Sequence, residues 1–277
     1  MTLFSYLFIL CNLSFSYAII SAGLNASTWK RARCGPNDLL TRWSSLVNAT
    51  VAPLPEYPRP QLTRGVNTNT PFTPVSGTSW LSLHGLWEFE IATSPAGTAS
   101  NPIPFGRSLH NQILIPFPPE SCLSGVGAFE NYPSSTPNFT YTWSRLLFDS
   151  SLMPSSSTVI NFEACDWNCT VWLNGVEIVQ HTGGYDGFDA DVSSLLKPAG
   201  NELIVFAHDP TERGAQPQGK QLTLDILNDH VDGNKYCPSS SIWGEVWIEA
   251  IPSKSYISNI HLRTNESSVF FLARDVF

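Results

Sequence analysis

A long apolar run, Val159–Leu173, halts at Asn174-Gly175 and resumes as Val176–Val179. Asn-Gly between two such runs marks a β-hairpin, because both central residues of a type I′ turn need positive φ. The first run is too long for one flat strand, which predicts a bulge near Asp166–Asn168. This hairpin commits the middle of the chain to antiparallel sheet, and the flanking sequence keeps the same rhythm. Trp87–Ile91 alternates, with Trp87, Phe89 and Ile91 on one face. Ile113–Ile115, Tyr141–Phe148 and Trp243–Ile251 read as further strands, and Leu222, Leu224 and Ile226 alternate with polar residues. Leu203–His208 is apolar at consecutive positions, the pattern of a central strand covered on both faces. The 21 Pro and 18 Gly supply the turns between these runs. Strands recurring about every ten residues indicate an all-β sandwich or barrel.

Helical signals are few. Leu39, Leu40, Trp43 and Leu46 have helical spacing and predict a short helix over Asp38–Val47. Asp191 can cap a second over Val192–Leu196, closed by Pro198 and Gly200. Residues 1–22 read as a secretory signal peptide, with apolar Leu3–Ala18, small residues at Ser16 and Ala18, and no charge before Lys30. Residues 23–57 form a leader whose proline-rich end, Val51–Pro60, cannot sit in a central strand and is expected to wrap onto the domain. The sandwich is assigned to 58–252. Residues 253–277 carry two further runs, Tyr256–Leu262 and Ser268–Ala273. Two strands do not bury a core, so the chain is expected to stop inside a second β unit.

The net charge of −8 argues against nucleic acid and anionic membrane surfaces as partners, since both need a basic footprint. No membrane association is expected once the signal is removed. Five cysteines follow the signal, an odd number, so at least one lacks a partner within the chain. Their spacing contains no Cys-x-x-Cys, which disfavours structural zinc. Cys165 and Cys169 would need a sharp local turn to pair, and are read as two buried thiols. N-glycosylation sequons stand at Asn25, Asn48, Asn138, Asn168 and Asn265. Asp186, Asp189 and Asp191 lack the glycine and distal glutamate of a calcium loop and are assigned to turns and caps. No metal and no cofactor are expected.

Several ordered blocks resemble one family. They include S-L-H-G-L-W-E-F (82–89), I-L-I-P-F-P-P-E-S-C-L-S-G-V (113–126), V-I-N-F-E-A-C-D-W-N-C-T-V-W-L-N-G-V-E-I-V (159–179), H-T-G-G-Y-D-G-F (181–188), N-E-L-I-V-F-A-H-D-P-T (201–211), Q-P-Q-G-K-Q (216–221) and S-S-I-W-G-E-V-W-I-E-A-I-P (240–252). Together they resemble the N-terminal sugar-binding domain of glycoside hydrolase family 2, which includes β-galactosidase, β-glucuronidase and β-mannosidase. The resemblance implies a jelly-roll-like, galactose-binding-like β-sandwich over 58–252, followed by an immunoglobulin-like unit of which 253–277 would be a fragment. Family members carry their two catalytic carboxylates in a later (β/α)₈ barrel, whose marker segments this sequence does not contain. No catalytic residue is therefore expected here. One carboxylate carries over: Asp209 in A-H-D-P-T matches an aspartate that reaches the barrel's mouth and binds the terminal sugar. A carboxylate suits that task because it accepts two strong bonds from hydroxyl groups.

In H-T-G-G-Y-D-G-F the residues read as structural. Gly183 and Gly184 would supply positive φ, Tyr185 and Phe188 would pack on the strands, and His181 would bond a loop. Of the tryptophans, most alternate with strand period and are assigned to the core. Three functions fit these readings: the non-catalytic part of a secreted family 2 hydrolase, a stand-alone carbohydrate-binding module, and a structural β-sandwich without ligand.

Overall fold

The computed structural model describes residues 24, 26–35, 40–49, 80–127, 139–150, 157–221, 236–251, 257–264 and 269–276, the last two segments by their backbone alone. The strands are β1 (Trp80–Ser82), β2 (Gly85–Ala92), β3 (Asn111–Ile115), β4 (Tyr141–Phe148), β5 (Ser157–Phe162), β6 (Cys165–Asp166), β7 (Asn168–Leu173), β8 (Val176–Thr182), β9 (Phe188–Asp191), β10 (Asn201–His208), β11 (Ser241–Ile242), β12 (Val246–Ile251), β13 (Ile257–Thr264) and β14 (Val269–Val276). A six-stranded antiparallel sheet, ordered β3-β2-β4-β10-β7-β8, packs on a four-stranded one, ordered β1-β12-β5-β9. Strands β6 and β11 pair with each other, as do β13 and β14. The fold is an all-β, galactose-binding-like sandwich.

The apolar runs explain the layers. Trp87 and Phe89 on β2, Leu146 and Phe148 on β4, and Leu203, Val205 and Ala207 on β10 point inward. They meet Ile160 and Phe162 of β5 and Val246 and Ile248 of β12 in one core. Buried side chains of this size contribute roughly 1.5–3 kcal/mol each. Strand β10 lies between β4 and β7, so its even residues need cover too. Ile204 and Phe206 join Trp143, Trp172 and Leu109 in a second, outer cluster.

Residues 93–110 supply that outer cover, and carboxylates hold them there. Arg145 Nη1 donates to Glu88 Oε2 (2.8 Å) and its Nε to Glu202 Oε1 (2.7 Å). The same Glu88 oxygen accepts from the Leu109 backbone N–H (2.9 Å), and Glu202 Oε1 accepts from that of Gly106 (2.9 Å). Trp143 Nε1 donates to Asn101 Oδ1 (2.7 Å). Arg145 and Glu88 are 5% and 3% exposed, so this is a buried ionic clasp.

The long run does break near Asp166–Asn168, with β6 ending at Asp166 and β7 beginning at Asn168, but the β-bulge itself lies further on, in β7 against β8 between Val171 and Trp172. Asn174 and Gly175 both have positive φ, at 52° and 88°, as the turn requires. Cys165 and Cys169 are a disulfide rather than two thiols, with Cα atoms 6.4 Å apart. The chain bends between β6 and β7, which brings the two sulfurs together. A second disulfide joins Cys34 of the leader to Cys122. Beside it, the Ala32 N–H donates to the Cys122 carbonyl (3.1 Å), whereas the proline-rich Val51–Pro60 lies outside the described residues. Cys237 belongs to neither disulfide.

Neither short helix forms as expected. In the described part of 38–47 only Ser44–Leu46 is a 3₁₀ turn, and Leu40 and Leu46 are 48% and 69% exposed. Ser44 Oγ accepts from the Thr41 N–H (2.9 Å) and the Arg31 guanidinium takes the Ser44 carbonyl (3.1 Å). Such side-chain bonds compete with helix propagation in so short a segment. Asp191 does cap, bonding the Ser193 N–H (2.8 Å), but the chain beyond it makes only one turn, with Leu195 and Leu196 both donating to the Val192 carbonyl. The expected strand at Leu222–Ile226 lies outside the described residues.

Candidate functional site at the end of strand β10

Asp209 follows β10, and its backbone N–H extends the ladder to the Thr140 carbonyl (2.9 Å). Its side chain is 3% exposed and is held by three donors. Oδ1 accepts from the Thr211 N–H (2.7 Å) and from Gln216 Nε2 (3.2 Å). Oδ2 accepts from Ser240 Oγ (2.8 Å). An ionised carboxylate offers about four acceptor positions, so roughly one remains, on Oδ2. The geometry therefore combines a turn-forming aspartate with one directed acceptor. Burial, the largest influence, pushes its carboxyl above the ordinary range against those three bonds.

Two more carboxylates surround it. Glu120 accepts from the Ser240 N–H with both oxygens (3.2 and 3.1 Å). Ser240 thus bridges Glu120 and Asp209, its amide to one and its hydroxyl to the other. Burial first, and the charge of Asp209 after it, pushes the Glu120 carboxyl up to about 8. Asp166 closes β6 at 5% exposure, and the same two causes raise it to about 7. A hydrogen bond from Gln221 opposes that rise.

The H-T-G-G-Y-D-G-F segment forms the outer part of this site. Gly183 has φ +149°, as expected of it, whereas Gly184 is required for space. A Cβ on Gly184 would lie 2.5 Å from the Asp166 carboxyl carbon. Tyr185 does not pack into the sandwich. It is 66% exposed and stands edge-on to Trp243, with ring centroids 5.6 Å apart. Gln221 Nε2 donates to the Tyr185 hydroxyl (2.9 Å), and Trp243 Nε1 donates to the Gly184 carbonyl (2.9 Å). Phe188 packs as expected, stacked on Phe162 at 4.9 Å. His181 stacks on Phe188 at 4.4 Å, and its Nε2 lies 3.4 Å from Asp186 Oδ2 without forming a hydrogen bond to a loop. Trp87, Trp143, Trp172 and Trp247 are buried, as expected for core positions.

Glu120, Asp166, Ser240 and Gln221 do not stand out in the sequence as site residues. Each lies in a block that carries the family resemblance, which is the one signal pointing to them. Among the described residues, no group of three or more His, Cys, Asp or Glu is arranged to hold a metal ion. Of the sequons, Asn48 and Asn168 are described. Asn48 Nδ2 donates to the Leu46 carbonyl (3.3 Å), and Asn168 Nδ2 donates to Thr182 Oγ1 (2.7 Å). Asn25, Asn138 and Asn265 lie outside the described residues.

Comparison with known proteins finds a family match for part of the chain. Residues 133–251 match the family model described as glycosyl hydrolase 2 galactose-binding domain-like. Across 178 residues the chain is 27% identical to the mannosylglycoprotein endo-beta-mannosidase of Lilium longiflorum, covering 60% of this chain and 18% of that enzyme. Across 107 residues it is 25% identical to a putative beta-glucuronidase of Formosa agariphila, covering 39% of this chain and 11% of that protein. The chain thus spans less than a fifth of either relative. Among solved structures, a β-glucuronidase from Ruminococcus gnavus bound to uronic deoxynojirimycin superposes with a TM-score of 0.49 at 18% identity, over 72% of this chain and 34% of that one.

Proposed function

We propose that this chain is the non-catalytic, sugar-binding part of a secreted family 2 glycoside hydrolase, and that Asp209 is its contact to a terminal sugar. The observation that carries the reading is the state of Asp209. Three donors fix its carboxylate at the end of a central strand, with about one acceptor position left for a hydroxyl. Such a group orients a ligand without activating it. Glu120 and Asp166 are buried and bonded within the protein, which suits support of Asp209 better than acid–base exchange with a substrate. A single carboxylate offers little enclosure, and ligand sites usually bury most of a small ligand. Through Asp209 alone the chain should bind a monosaccharide more weakly than about 1 mM, roughly −4 kcal/mol.

The purified chain is expected to turn over no aryl β-galactoside, β-glucuronide or β-mannoside. A chimera of residues 58–252 on a relative's barrel should hydrolyse its glycoside, and Asp209→Ala should weaken it at least tenfold in kcat/KM. Unchanged kinetics in that variant would reduce Asp209 to a turn residue. Turnover by the isolated chain that vanishes with one Glu substitution would overturn the non-catalytic reading.

Secretion belongs to the same proposal. The two disulfides support an oxidising compartment, where such bonds persist. In a eukaryotic host the chain should enter the medium and shift mobility on N-glycanase treatment. Cytosolic retention without a shift contradicts it.

A further inference from the structure

A cavity of about 400 Å³ lies beside the edge strand β3, where residues 28–30 of the leader pass it. Its lining residues include Trp29, Lys30, Asn111, Gln112 and Phe89. Trp29 is fixed rather than loose, because its Nε1 donates to the Ser124 carbonyl (3.3 Å). The neighbouring Cys34–Cys122 disulfide holds this stretch of leader against the domain. Gln112 contributes a further feature: its Oε1 is buried without a hydrogen-bond partner. An acceptor in that condition is unusual in folded proteins and gains from any donor that the side chain can turn to meet.

We propose that this cavity binds one pyranose residue of a glycan. A sugar ring presents an apolar C–H face and a rim of hydroxyls that both donate and accept. An indole serves the first, as aromatic rings combine apolar area with a fixed orientation. Carboxamides serve the second, since each carries donors and an acceptor on one group. The Lys30 ammonium adds donors and no acceptor. The volume stands near the lower end of small-ligand sites, enough for a single ring and not a long chain. None of these wall residues bonds Asp209, so the site is separate from the one proposed above.

The test uses the full isotopically labelled chain. Methyl β-galactoside, β-glucoside, β-mannoside and β-glucuronide are titrated while the Trp29 indole and Gln112 amide resonances are followed by NMR. At least one glycoside should move both with a millimolar Kd. Gln112→Leu, on an edge strand, should weaken that binding about tenfold. Lys30→Ala, at an exposed position, should weaken it several-fold, and Asp209→Ala should leave it unchanged. The proposal is overturned if no glycoside moves these resonances, or if the Gln112 and Lys30 variants bind as the parent does. Binding lost in Asp209→Ala but kept in Gln112→Leu overturns it too, while supporting the Asp209 reading.

Discussion

Arg145→Ala is expected to cost about 3–5 kcal/mol, the range for removing one partner of a buried ion pair. At this chain length, such a loss lowers Tm by roughly 10 °C or more. The cause is specific. Arg145 bonds Glu88 and Glu202 at once, and both carboxylates also hold the backbone of residues 93–110. Without the guanidinium, Glu88 loses its 2.8 Å ion pair at 3% exposure. The triple variant Arg145→Met, Glu88→Gln, Glu202→Gln should recover most of the loss, because amide oxygens still accept from Gly106 and Leu109. Calorimetric unfolding of the parent and these two variants checks this. A drop below about 1 kcal/mol in the single variant would show that the clasp is dispensable.

Glu120→Gln should act in the opposite direction and depend on pH. The folded protein holds the Glu120 carboxyl at about 8, against an ordinary value of 4.5. Because the folded state binds the proton more tightly, this group's contribution is fully present below pH 4.5. It is lost as pH rises toward 8. Each pH unit in that window costs about 1.4 kcal/mol, so near pH 7 the carboxyl costs roughly 3 kcal/mol. Glutamine keeps an oxygen for the Ser240 N–H and never ionises. The variant should therefore be more stable than the parent at pH 7–8, by several degrees in Tm, and similar to it at pH 4.5. Asp166 and Asp209, both raised by burial, act in the same direction and leave part of the slope in place. Melting curves across pH 4–9 decide the matter, and an unchanged slope in Glu120→Gln would show that Glu120 is ionised in the folded protein.

The layers of this fold were legible because their signals are local. Period two in Trp87–Ile91, the strand run Tyr141–Phe148, the double-faced run Leu203–His208 and the Asn174-Gly175 turn each act within a few residues. They reappear as β2, β4, β10 and the β7–β8 hairpin. The candidate site was legible at one residue. Asp209 stood out through the block around it, but its partner Ser240 binds Glu120 from 120 positions away in the chain. No spacing rule reaches that far; only the closed sandwich brings β11, β6 and the segment after β3 to the end of β10. The Cys165–Cys169 pair and the outward Tyr185 were misread for a related reason. Both depend on how the chain bends between β6 and β7 and around Gly184, where the hydrophobic pattern is silent.

The disulfide between Cys34 and Cys122 closes a loop with a sequence separation of 88. A protease that cuts one bond inside that loop does not release anything. The two pieces stay joined through sulfur, and Trp29 stays beside Gln112. A nicked protein would run as one species on a non-reducing gel and as two after a thiol is added. Its leader would leave the sheet edge only in the second case.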